Sequence, residues 1–120
     1  PEHPLALAAA NNIGKTLYDA GRFAEAEERL RGVSSLAGKA FPPNHPNASI
    51  FKLNHGRALL ALHRYDEAEP LLLEAHRGLE KNVGPSHVKT RETARALAEL
   101  YRMTGRTDEG APWSKRSAAQ

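Results

Sequence analysis

The chain has 120 residues, 40% of them hydrophobic and 26% charged, a length that suits one domain with a continuous core. It has no cysteine, which excludes disulfides, thiol catalysis and thiolate metal sites and fits a reducing, cytoplasmic setting. The formal charge of +3 is mild and mixed with negative residues, whereas a nucleic-acid binder would gather its Lys and Arg into one stripe. No apolar run approaches the roughly 20 residues of a membrane-spanning helix, and no charged, apolar leader opens the chain. Neither a nucleic acid nor a membrane is therefore expected as a partner, and the small positive excess favours acidic ligands. A first residue of Pro1 rather than Met leads us to expect a piece of something longer.

Self-similarity organises the sequence. His3, His45 and His87 are spaced 42 apart, as are Gly21, His63 and Gly105, each of the latter followed by an arginine: Arg22, Arg64 and Arg106. The same offset aligns Phe23 with Tyr65, Glu25 with Glu67 and Glu109, Ala26 with Ala68 and Gly110, and Gly14 with Gly56 and Ala98.

The elements follow in chain order. A first helix is predicted over about 4–19, with Pro4 in an opening turn where no N–H is needed. Its start, Leu5 to Ala10, is apolar nearly all round, which predicts burial on several sides by upstream repeats or another domain. Gly21 suits the left-handed turn after a helix end, and a second helix follows over about 24–40. Within it Glu25-Ala26-Glu27-Glu28-Arg29 has the spacing of a solvated face. Pro42-Pro43-Asn44 breaks the chain. A third helix over about 46–61 opens on Pro46, and a fourth over about 66–82 carries Ala68, Leu71, Leu72, Ala75 and Leu79 at helical spacing. Gly84-Pro85-Ser86 precedes a fifth helix over about 88–103. The sixth, about 108–118, holds Gly110, Pro112 and Trp113 and ends polar, as a closing helix would. No segment reads as a strand. Small residues recur at Gly14, Gly56 and Ala98 and at Ala26, Ala68 and Gly110, although glycine inside a helix costs about 1 kcal/mol against alanine. Their register predicts a tight crossing within each helix pair, where a large side chain at Ala68 would overpack.

These residues resemble the tetratricopeptide repeat (TPR) family. The matching segments are AANNIGKTLYDAGRFAEAEERL, FKLNHGRALLALHRYDEAEPLLLEA and NVGPSHVKT. The family's usual repeat is about 34 residues, and the longer unit here resembles kinesin light chain and the arrays of many bacterial signalling proteins. The resemblance implies an all-α fold, an α-solenoid of three TPR hairpins wound into a right-handed superhelix. It covers residues 1–120 as one domain, with repeats at about 3–44, 45–86 and 87–120. It also implies a concave wall built from the first helix of each unit. Groove positions carried over are Asn11, Asn12 and Lys15, then Asn54 and Arg57, then Glu92, Arg95 and Glu99. Asparagine can donate to and accept from an extended peptide backbone, and Lys and Arg attract acidic side chains. For Asn12 and Asn54 a hydrogen bond between helices of the stack competes with ligand contact. The sequence departs from the family at His55, where leucine is preferred, and at Ala96, where asparagine repeats elsewhere. Glu92 and Ala96 occupy two basic positions of the family's two-carboxylate clamp, so a chaperone-tail ligand is not expected.

Gly14-Lys15-Thr16 imitates the end of a phosphate loop but lies mid-helix, with Ala9 where the motif needs glycine. The repeating histidines read as joint residues near helix starts rather than metal ligands. His55 reads as partly buried filler, His63 as a turn residue, and His76 as lying on an outer face. Trp113 reads as core closing the last pair. Carboxylates recur with the repeat, which argues against a unique acid–base pair, and Asn47-Ala48-Ser49 reads as a chance glycosylation pattern. The expectation is a protein-interaction module without cofactor, metal or catalysis, part of a signalling or regulatory protein, that binds a protein or peptide in its groove. The competing reading is a spacer, cap or self-association segment of a longer repeat protein.

Overall fold

The computed structural model describes residues 3–42 and 45–118. They form α1 (Pro4–Asp19), α2 (Phe23–Ala40), α3 (Pro46–Ala61), α4 (Tyr65–Val83), α5 (Val88–Met103) and α6 (Thr107–Ser117), with no strand among the described residues. The first helices fall where the sequence places them, and the second helices agree to within a residue at each end. Pro43 and Asn44 of the predicted break, and the last two residues of the polar end, lie outside the described residues.

The 42-residue spacing of histidines has a local cause. His3, His45 and His87 are the N-caps of α1, α3 and α5, each in extended backbone conformation. Each Nδ1 accepts the backbone N–H two residues on, from Leu5, Asn47 and Lys89, at 3.1, 3.1 and 3.0 Å. An imidazole thus satisfies a donor that the helix leaves orphaned, the task more often given to Ser, Thr, Asp or Asn. The other end of each first helix closes just as regularly. Gly21, His63 and Gly105 take the left-handed conformation at φ 80°, 62° and 75°. The N–H groups of Arg22, Arg64 and Arg106 then reach back to the carbonyls of Leu17, Leu59 and Tyr101, at 2.9, 2.9 and 2.8 Å. With the N–H groups of Gly21, His63 and Gly105 bonded to the carbonyls of Tyr18, Leu60 and Arg102 as well, this stop delivers each arginine to the N-cap of the second helix.

Within a pair, the crossing is as close as the small residues predict. A Cβ built on Gly14 would lie 2.5 Å from Leu30 Cδ2, and one on Gly56 would lie 2.7 Å from Leu72 Cδ2. Ala26, Ala68, Leu30 and Leu72 are completely buried. The apolar clusters run across unit boundaries: Leu7, Val33 and Ala37 pack with Ala48 and Phe51, and Leu53, Leu72 and Ala75 pack with Ala96, Leu97 and Leu100. Trp113 packs against the latter cluster, as its core reading requires. Each hairpin therefore completes its core with its neighbour's side chains.

Neighbour relations fix the curvature. The α1 backbone touches α3, and α3 touches α5, whereas α2 and α4, and α4 and α6, have no Cα atoms within 8 Å. The first helices form the crowded inner wall and the second helices splay on the outer side. No described helix is long and apolar enough to cross a membrane.

His76 is buried rather than set on an outer face, its ring edge-on to Trp113 at 4.8 Å. The polar helix α6 returns far enough for its one large aromatic to cover that side of α4.

Two sets of substitutions test this packing. Gly56→Val should lower stability by about 1–3 kcal/mol, because Leu72 is enclosed and cannot yield. Gly32→Ala should raise it by up to about 1 kcal/mol, since a Cβ there meets nothing within 4 Å. His87→Ala should cost about 1 kcal/mol while His87→Asp retains the cap. Urea titrations followed by circular dichroism measure all of these.

Candidate peptide-binding groove

A cleft of about 240 Å³ opens on the inner wall, lined by Tyr18 of α1, Arg57 and Leu60 of α3, and Glu92, Arg95, Ala96 and Glu99 of α5. It brings together four of the sequence-predicted groove residues: Arg57, Glu92, Arg95 and Glu99. Larger hollows of about 360 and 420 Å³ are also present, one between α5 and α6 that shares Arg95 and Glu99 with the cleft, the other against Ile13, Arg22 and Glu25. Each of those borders a single helix pair at an end of the array, whereas the inner-wall cleft is made by three first helices.

Charge in the cleft is unevenly compensated. Lys89 Nζ lies 3.4 Å from Glu92, and Arg102 donates to Glu99 at 2.7 Å, so each carboxylate has a cation on its own helix. Arg57 and Arg95 have no carboxylate partner among the described residues. The Arg57 guanidinium lies over the Tyr18 ring, 4.9 Å from its centroid, an attraction of about 0.5–1 kcal/mol at an exposed site. The stack holds the guanidinium at the wall without using up its N–H donors.

The other predicted groove residues are placed differently. Asn54 Nδ2 donates to Asn11 Oδ1 at 3.0 Å, and both side chains are buried, so this amide pair ties α1 to α3. Asn12 is exposed and outside the cleft lining, and Lys15 pairs with Asp19 at 3.1 Å. Tyr18 and Leu60 line the cleft and were not predicted. Both occupy one register of the 42-residue unit, three residues beyond Lys15 and Arg57 on the same helices, and that step along the face would have found them.

Between units, carboxylates of the second helices are gripped by the next unit. Glu27, with its side chain 4% exposed, receives Arg31 at 2.9 Å, His55 Nε2 at 3.0 Å and Arg64 at 3.3 Å. Glu69 receives Arg106 at 2.8 Å and the Tyr101 hydroxyl at 2.7 Å. His55 is therefore a bonded junction residue rather than filler, although its Nδ1 is buried without a partner. Burial pushes the Glu27 carboxyl up, but hydrogen bonds from His55 and Arg31 and the charges of Arg31 and Arg64 outweigh it, leaving the pKa below 4.5. The hydrogen bond from Arg106 holds Glu69 low, with burial opposing and Tyr101 assisting. Burial pushes the Tyr101 phenol up to about 12, aided by its bond to Glu69. His76 is lowered from 6.5, chiefly by burial. Among the described residues no group of three His, Cys, Asp or Glu side chains could hold a metal ion.

Stacked helical hairpins with a crowded inner wall and splayed outer helices define a class, the helical-repeat scaffold. Tetratricopeptide-repeat models match residues 6–47 and 46–118, and the chain belongs to the tetratricopeptide repeat family. No curated protein matches it by sequence. Among solved structures it is similar to one from Podospora anserina, described as a kinesin light chain with nearly identical TPR-like repeats. That likeness has a TM-score of 0.76 at 24% identity over 97% of this chain, and at that identity it speaks for the fold. The chain spans 55% of that structure's length. TPR arrays are in general protein-interaction scaffolds.

The depressed groups set the pH response. For a group whose folded pKa lies below its unfolded value, the stabilisation is complete above the unfolded value and is lost as pH falls through the folded one. Acidification should therefore weaken the fold first below about pH 6.5 through His76, and further below about 4.5 through Glu27 and Glu69. Glu27→Ala should cost about 1–3 kcal/mol at neutral pH, because it strands the His55 N–H, and should flatten the acid limb. Urea midpoints across that range check both effects.

Proposed function

We propose that this array is a protein-interaction module whose inner-wall cleft holds an extended, acidic segment of another protein, within a larger signalling or regulatory assembly. The observation that carries the reading is the pair of guanidiniums, Arg57 and Arg95, on adjacent first helices, neither engaged by a carboxylate among the described residues. A ligand Asp or Glu would meet planar donors suited to two parallel N–H···O bonds. Leu60 and Ala96 offer apolar floor between the charges. Asn12 and Lys15 lie outside the cleft lining and would meet only a ligand long enough to continue beyond α1. Binding and not catalysis is the role proposed, because the charged groups of the cleft are held by neighbours or left as donors, with no nucleophile beside a base.

A display selection of random extended peptides against the chain tests this. Recovered sequences should be enriched in Asp and Glu, and their affinity should fall at least about tenfold with Arg57→Glu or Arg95→Glu, roughly the effect of losing one charged hydrogen bond. Circular dichroism should be unchanged in both variants. Peptides without acidic residues, or binding indifferent to both substitutions, would exclude the inner wall as the site.

A further inference from the structure

The two ends of the array differ in chemistry, and the difference can be read from the junctions inside it. At the junction of the first two units, Ala48, Phe51, Asn54 and His55 are buried. At the next, their counterparts 42 residues on, Thr90, Thr93, Ala96 and Leu97, are buried as well. Their counterparts in the first unit are Ala6, Ala9, Asn12 and Ile13, and all are exposed. Ile13 is 45% exposed and Leu5 76%, giving an apolar face on α1. The hollow of about 420 Å³ beside it is bounded by Ile13, Leu17 and Arg22.

The polar groups of a junction are present there too, with one side missing. Arg64 grips its own Glu67 and the preceding unit's Glu27, and Arg106 grips Glu109 and the preceding Glu69. Arg22 holds the same register but, among the described residues, only its own Glu25, and its side chain is 58% exposed against 41% and 38% for the other two. Asn12 likewise holds the register of Asn54, whose amide meets Asn11 of the preceding unit.

The opposite end carries none of this. Where the second unit offers Leu53, Leu60, Leu72 and Ala75, the third has Arg95, Arg102, Ser114 and Ser117. Where the first two units offer Glu27 and Glu69, the third has Ala111.

We propose that the exposed α1 face is a half-junction for one more helical hairpin, with a carboxylate on its second helix for Arg22 and a side-chain amide on its first helix for Asn12. Its apolar residues would cover Ile13 and Ala9. A second copy stacked tail to head does not fit, since it would set Ala111 opposite Arg22 and Arg95 opposite Asn12. The array is thus open to extension at one end and closed at the other, independently of whether the groove binds peptide.

Fusion in the 42-residue register tests the polarity. A copy of residues 3–44 joined directly to His3 supplies the Glu27 carboxylate and the Asn11 amide. It should raise the thermal midpoint by at least about 5 °C and slow amide exchange in α1 at least tenfold. Glu27→Ala within the added copy, or Arg22→Ala with Asn12→Leu in the original unit, should remove at least half of that shift. A copy of residues 79–86 followed by 45–86, placed after Gln120 so that the 42-residue register continues, should give no shift. Equal gains at both ends, no gain from the leading copy, or a gain indifferent to those substitutions would overturn the proposal. So would an unfused chain that sediments as a dimer and is dissociated by Ile13→Glu, because the occupant would then be a second copy.

Discussion

In the first two hairpins a leucine of the outer helix sits over a glycine of its inner partner, Leu30 on Gly14 and Leu72 on Gly56, and the stack depends on that contact. With hydrogen in place of Cβ, the two backbones approach closely enough to enclose Ala26 and Ala68 completely. Glycine's helical penalty of about 1 kcal/mol is accepted because any larger residue would push the pair apart. The third pair reverses the arrangement, with Ala98 on the inner helix and Gly110 on the outer, where a Cβ would meet Tyr101 Cβ at 3.0 Å. Close pairing leaves apolar edges that one hairpin cannot cover, so each unit is completed by the next.

Polar groups give those apolar junctions their register. The helix stop at Gly21, His63 or Gly105 sets an arginine at the head of each outer helix, and at two of the three positions it meets a carboxylate of the preceding unit. A buried carboxylate lacking such donors would be strongly disfavoured. Glu27 with Arg31, His55 and Arg64, and Glu69 with Tyr101 and Arg106, therefore act as alignment points rather than as large sources of stability. The second junction dispenses with the amide pair of the first, using Leu53 and Ala96 where Asn11 and Asn54 meet. Apolar and polar solutions thus alternate at one register within a single chain.

The inner wall inherits its shape from this stacking and its charge from residues the stacking leaves free. Among the described residues Arg57 and Arg95 meet no carboxylate, since the nearby Glu92 and Glu99 are paired with Lys89 and Arg102. The concave surface thus carries anions paired within α5 beside guanidiniums that have no carboxylate partner among the described residues.

The sequence by itself determined where the helices begin and end and which residues repeat. Histidine caps, left-handed turn residues and the small-residue register act over a few positions of the chain, so their chemistry is legible locally. The resemblance to the TPR family further implied one groove for Arg57, Glu92, Arg95 and Glu99, and these four line one cleft. Only the tertiary structure decided that Asn11 and not Asn12 meets Asn54, that Tyr18 and Leu60 complete the cleft, and that Glu27 lies buried in what reads as a solvated face. It also decided that Trp113 covers His76. Each of those outcomes turns on which neighbouring helix lies opposite a side chain and at what rotation. Spacing along one helix fixes the direction in which a residue points, while its surroundings are fixed by helices tens of residues away.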